Sequence, residues 1–304
     1  MASVKSSVFS GLLLWLFVMV SFGCGQSKPA GSGSGFFHFP DRVQLNLSDV
    51  LNKDCGSTEY GDRDRPQEGR LQESPWLVLF YYPDEKVHFC HGTLLTQSHI
   101  LTSAVCASNM VVNSTEVALG EYDLSTQQDC VDIECSDPVQ KRLVQKIITH
   151  EGFKQDTFEN DIALIVVREV ALSDSIKPIC LPLFKFEFGD VNEPNVYNTL
   201  WTTFPRPQQH WMYYVELNEC RSLIGNKINL NDGQSCARSY PNRTIEMGGG
   251  AGSALEVEYH HRVYQVAMLS IGILDSDPYT PFIYVDISKY IKWIHDTVKS
   301  NQIP

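Results

Sequence analysis

Between Trp76 and Ile287 short apolar runs alternate with polar punctuation. WLVLFYY (Trp76–Tyr82), TLLTQSHILTSAV (Thr93–Val105) and VALGEYDL (Val117–Leu124) come first. VQKIITH (Val144–His150), DIALIVV (Asp161–Val167), NVYNTLWTTF (Asn195–Phe204), VYQVAMLSIGI (Val263–Ile273) and PFIYVDI (Pro281–Ile287) follow. These runs are rich in β-branched and aromatic residues, which suit a pleated, half-buried surface. Pro, Gly, Asn and Asp separate them. Many short strands at regular spacing predict an antiparallel barrel or sandwich. Only the last segment reads as a helix. There Ile287, Ile291, Ile294 and Val298 recur three and four residues apart, with Tyr290 and Trp293 beside them.

The leading segment has a different texture. Lys5 precedes an apolar run, Gly11–Val20, and then small residues at Ser21, Gly23, Cys24 and Gly25. That layout predicts a secretory signal peptide over residues 1–24. The run is shorter than the roughly 20 apolar residues that span a bilayer, so no membrane attachment is expected after cleavage. Residues 25–70 read as a linker or pro-region: Lys28–Gly35 (KPAGSGSG) is flexible Gly/Ser-rich chain, and Phe36–Pro40 is a small apolar island. Residues 71–304 form the folded domain.

Charge and cysteine content narrow the class. A formal net charge of −12 argues against nucleic acid, which wants a basic face, and favours a basic partner. Secretion implies an oxidising compartment. Nine cysteines are present, and removal of Cys24 with the leader leaves eight. An even count suits four bridges, although composition alone allows 105 pairings. Cys130 and Cys135 lack the following Cys or His pair of a zinc finger, so no metal and no cofactor are expected. Asn46, Asn113 and Asn242 each open an Asn-x-Ser/Thr sequon and are candidate glycan sites.

Ordered motifs then carry a resemblance. Pro75-Trp76 opens the first strand. Cys90-His91-Gly92-Thr93-Leu94-Leu95 and Ile100-Leu101-Thr102-Ser103-Ala104-Val105-Cys106 resemble C-G-G-S-L-I and V-L-T-A-A-H-C. Asn160-Asp161-Ile162-Ala163-Leu164 resembles N-D-I-A-L, and Lys177-Pro178-Ile179-Cys180-Leu181-Pro182 follows it. Leu269-Ser270-Ile271-Gly272, Ile283-Tyr284-Val285 and Tyr290-Ile291-Lys292-Trp293-Ile294 close the series. In that order, over about residues 75–296, the chain resembles the trypsin/chymotrypsin family of serine proteases. Gly120-Glu121-Tyr122-Asp123, Asp129-Cys130 and Cys135-Ser136-Asp137-Pro138 look like a surface loop of the arthropod clip-domain group. Residues 26–54 lack the six cysteines of a clip domain, so that domain is expected to be absent.

The resemblance implies an all-β fold, a chymotrypsin-like pair of six-stranded antiparallel barrels with a C-terminal helix. It also implies the pairing Cys55–Cys180, Cys90–Cys106, Cys130–Cys135 and Cys220–Cys236. In this family a serine attacks, a histidine takes its proton and an aspartate orients the histidine. The histidine position holds Val105 and the nucleophile position, within Gly249-Gly250-Ala251-Gly252-Ser253, holds Ala251. Only Asp161 survives, expected to bond Ser270. Gly250 replaces the aspartate that grips the amine freed by activation cleavage, Asp64-Arg65-Pro66 is unlike the family's cleavage product, and Ile245 replaces the acidic base of the specificity pocket. His91, at a family glycine, reads as a loop residue, and Ser253 as a loop serine.

Hence the expectation: a secreted protease homologue that does not hydrolyse. It would regulate an extracellular proteolytic or immune cascade by binding a protease, zymogen or inhibitor. Gly249, Ser270, Gly272 and Ile245 are the candidate peptide contacts, by a backbone N–H and by strand addition. The alternatives are an active endopeptidase using other residues, and a structural or glycan-binding secreted protein.

Overall fold

The computed structural model describes residues 54–58, 60, 67–82, 87–183, 186, 188, 196–225, 227–239, 245, 247–272 and 280–302. The proposed leader, Asn46, Asn242, Arg63 and most of the linker lie outside the described residues.

The apolar runs form two closed antiparallel barrels. The first contains β1 (Leu77–Tyr81), β2 (His88–Thr96), β3 (His99–Thr102), β4 (Glu116–Leu119), β7 (Gln140–Thr149) and β8 (Ala163–Val167), in the order β1-β2-β3-β8-β7-β4. Between β4 and β7 lies a two-stranded hairpin, β5 (Cys130–Val131) with β6 (Glu134–Cys135). The second barrel contains β9 (Val196–Leu200), β10 (Gln208–Val215), β11 (Gln234–Ser239), β12 (Ala254–Tyr259), β13 (Arg262–Ile271) and β14 (Phe282–Asp286), in the order β10-β11-β14-β13-β12-β9. Closure removes the free edges that would otherwise invite pairing with other chains.

Burial explains the run texture. β1 and β8 are buried at every residue, because one barrel face meets its interior and the other meets the second barrel. β7 is half-solvated: Val144 is inside and its neighbour Leu143 is outward, and the register shifts between Val144 and Lys146, which is exposed. The main core spans both barrels: Trp76, Leu79, Leu95 and Ile162 pack with Trp201, Met268, Val285 and Ile294.

Among the described residues there are three α-helices. The first, α1 (Ala104–Ala107), is a single turn capped by Ser103, whose side chain accepts from the Cys106 N–H. The second, α2 (Leu217–Ile224), buries Cys220 and Ile224. Neither helix was expected from periodicity. A 3-10 turn, Ile287–Lys289, capped by Asp286, precedes α3 (Ile291–Ser300). The C-terminal apolar pattern is therefore split between two elements. Although α3 follows the second barrel, it is tied to the first. His99 in β3 bonds the Asn301 carbonyl at 3.1 Å, Lys146 in β7 bonds the Asn301 side chain at 2.6 Å, and Trp293 Nε1 bonds Glu151 at 3.1 Å. Among the described residues no helix is long and apolar enough to cross a membrane.

Four disulfides staple the fold: Cys55–Cys180, Cys90–Cys106, Cys130–Cys135 and Cys220–Cys236. The first brings residues 55–56 to the body, where Gly56 N–H donates to the Pro178 carbonyl and Val263 N–H to the Gly56 carbonyl.

Candidate functional site

The cleft between the barrels gathers α1, the Gly248–Ser253 turns and the end of β13. Asp161 precedes β8 and is 0% exposed. One carboxylate oxygen accepts from the Val105 N–H at 2.8 Å and the other from Ser270 Oγ at 2.5 Å. The Ala104 N–H contributes as well. Burial raises the Asp161 pKa, and these three donors oppose the rise. Val105 thus meets Asp161 through its backbone, where an imidazole would have used its side chain. Its own side chain is hydrocarbon, on the half-exposed face of α1.

Ala251 packs its methyl against the first barrel's core, on the cluster that holds Cys90, Cys106 and Ala107. Its carbonyl accepts from the His91 N–H at 2.9 Å. The turn around it is held by Gly250 N–H to Met247, Gly252 N–H to Leu269 and Ser253 N–H to Gly250. Gly249 and Gly252 have φ of 77° and 85°, a region open to glycine. Among the described residues the N–H groups of Gly249 and Ala251 make no hydrogen bond.

One serine hydroxyl does meet an imidazole, Ser98 Oγ at 3.1 Å from His99 Nδ1, but neither residue bonds Asp161. Ser253 is 0% exposed and its hydroxyl bonds Asn198 Oδ1 at 3.1 Å. His99 is engaged by Thr96, Ser98 and Asn301. His150 accepts from the Gly152 N–H and packs on Tyr290 and Trp293.

His91 departs from the loop reading. It lies inside β2 and is 0% exposed. Trp201 N–H donates to its Nε2 at 3.0 Å, so Nε2 carries no proton and the ring is the neutral Nδ1–H tautomer. Nδ1–H donates to the Gly249 carbonyl at 3.0 Å. Burial, with His88 beside it, pushes the His91 pKa down to about 3, against the Gly249 bond that favours the charged form. Its only sequence signal was a large polar residue at a glycine position of the motif.

The remaining candidates are spread out. Ile245 and Met247 pack half-buried on the second barrel's core beside Val196 and Leu269. Ser270 is buried with its hydroxyl committed to Asp161. Gly272 is exposed next to the Phe282 ring. Asn113 is exposed on a turn with φ of 60°. Among the described residues no group of acidic, His and Cys side chains is arranged to hold a metal ion.

The two-barrel fold and this cleft define a serine-protease-type domain. The trypsin family model matches residues 65–294, and the chain belongs to that family. Its relatives include arthropod clip-type proteases. "Serine protease grass" of Drosophila melanogaster is 26% identical over 91% of this chain and 80% of that protein. "Phenoloxidase-activating factor 3" of Holotrichia diomphalia is 29% identical over 86% of this chain and 76% of that protein. The crystal structure of the Drosophila Grass clip serine protease of the Toll pathway aligns with a TM-score of 0.72 at 23% identity, covering 85% of this chain and 79% of that one.

Proposed function

We propose that this chain is a secreted, non-hydrolysing member of the family that binds an extended segment of an extracellular protease, zymogen or inhibitor. The observation that carries the reading is chemical. Val105 and Ala251 stand where a proton acceptor and a nucleophile are required, and Asp161 has its oxygens filled by Val105 and Ser270. A hydrocarbon side chain neither takes nor gives a proton, and losing nucleophile and base together costs on the order of 10⁶ in kcat in such enzymes.

Binding is supported by what the cleft retains. Gly249 and Ala251 offer unengaged N–H groups for a peptide carbonyl, and Ser270-Ile271-Gly272 lies at the end of β13, where a strand can be extended. Ile245 gives the pocket an apolar rather than an acidic wall, so a basic side chain is not the preferred guest there. The leader pattern and the four disulfides support secretion, and the name of one relative, a phenoloxidase-activating factor, supports a place in an extracellular cascade.

The test is titration of the purified mature protein with a radiolabelled fluorophosphonate, beside a broad panel of peptide substrates. Neither label nor turnover is expected, and capture from extracellular fluid should then recover a protease, its zymogen or an inhibitor. Stoichiometric label with turnover would instead make the chain an active endopeptidase.

A further inference from the structure

We propose that His91 is a positioning residue that locks the Gly248–Ser253 turns, and that it does so in the uncleaved chain, so that the cleft is ready without proteolytic activation. The inference concerns how the turns are held, whatever they bind, and so goes beyond the proposed function.

Every polar atom of His91 is spent on this region. Its N–H donates to the Ala251 carbonyl, its carbonyl accepts from Thr102 Oγ1 at 2.7 Å, Nδ1–H holds the Gly249 carbonyl, and Nε2 holds the Trp201 N–H. The Trp201 ring stacks on the imidazole, with centroids 6.1 Å apart and planes at 20°. One side chain therefore joins β2 of the first barrel, the residue after β9 of the second, and the turn between β11 and β12. One bond from a rigid, fully buried ring, itself anchored at Nε2 by the Trp201 N–H, fixes the carbonyl of Gly249, whose lack of a side chain would otherwise leave it free to rotate.

The usual means of ordering this turn has no room. A Cβ on Gly250 would lie 2.5 Å from Leu200 Cδ1 and 3.2 Å from Leu269 Cδ2. The buried side chains of Leu200 and Leu269 therefore occupy the space that a side chain at Gly250 would need. A Cβ on Gly252 would run into the His91 backbone and lie 2.5 Å from Thr102 Oγ1. β2 and the turns are pressed together at the residue that carries the imidazole.

Hydrogen exchange followed by mass spectrometry on the full mature chain tests this. The informative amides are Gly250, Gly252, Ser253 and Trp201, each a donor in the structure. The wild-type chain should protect them equally before and after nicking by trypsin at Arg63 or Arg70. Both His91→Gly and His91→Phe should speed their exchange by about tenfold or more, while β13 amides stay protected. Phenylalanine fills the ring's volume without its hydrogen bonds, so unchanged protection in His91→Phe would overturn the proposal. Protection that appears only after nicking would overturn it too. If neither variant folds, ¹⁵N-histidine NMR of the wild type decides. His91 should stay in the neutral Nδ1–H form at pH 5, and titration near its ordinary value or an Nε2–H tautomer would refute the lock. A fluorophosphonate-reactive protein would sink the proposed function and leave these readings unaffected.

Discussion

Asp161 keeps its place in the cleft without an imidazole to orient. It serves instead as a buried acceptor that joins the start of α1 to the end of β13. Restoring one partner should therefore not restore chemistry. Ala251→Ser is expected to show no fluorophosphonate label at neutral pH. A serine needs a base within hydrogen-bond reach, and His91, with both ring nitrogens engaged, is no such base. His91 also sets an acid limit. Its folded pKa lies near 3, below its ordinary value of 6.5. The unfolded chain therefore binds the extra proton first as pH falls. Stability from this group is intact above pH 6.5 and should decline by at most about 1.4 kcal/mol per unit toward pH 3. Urea melts across that range should show this slope reduced in His91→Phe. The Asp161–Ser270 bond was legible from the motifs, because position in a motif decides which residues face each other. The His91 lock was not, since a polar side chain at a glycine site reads as loop until the partners facing it are known.

At the scale of elements, the apolar runs located β1 to β4, β7 to β9, β13 and β14, but not β10, β11 or β12, where Gln208-Gln209, Gln234-Ser235 and Glu256 interrupt the apolar pattern. The helices were less legible. Four-residue α1 is too short to show a period, and in α2 the apolar Leu217, Cys220 and Ile224 recur at suitable spacing but over only two turns. The β5–β6 hairpin depends on its crosslink and little else, since its residues are exposed. Replacing Cys130 and Cys135 by Ser should cost about 2 kcal/mol by loop entropy, against about 5 kcal/mol for Cys55 and Cys180. Their sequence separations are 5 and 125 residues. Denaturant midpoints of the two double variants should rank in that order.

Across the whole molecule, polar pairs stitch one barrel to the other. Trp76 Nε1 donates to Glu256 at 3.2 Å, and Thr93 Oγ1 donates to Gln265 at 2.6 Å, all four residues buried. Such pairs are costly to break from one side, because the stranded group keeps its desolvation penalty. Thr93→Val is expected to lose about 1–3 kcal/mol while near-ultraviolet and far-ultraviolet circular dichroism still melt together. Separate transitions for the two probes would mean that the barrels fold independently. The sequence motifs implied two barrels, but not this stitching, because a buried Gln or Glu declares its partner only once registers are set.

The grip of α3 on the first barrel acts as a clasp. A chain that ran from barrel to barrel and stopped would resemble two beads on a string, free to part when pulled. Here the strand order is followed by a helix that reaches back, so a tug on Asn301 is felt at His99 and Lys146 at once. Load applied to either barrel is shared by both, and the seam between them is kept from gaping by that fastening.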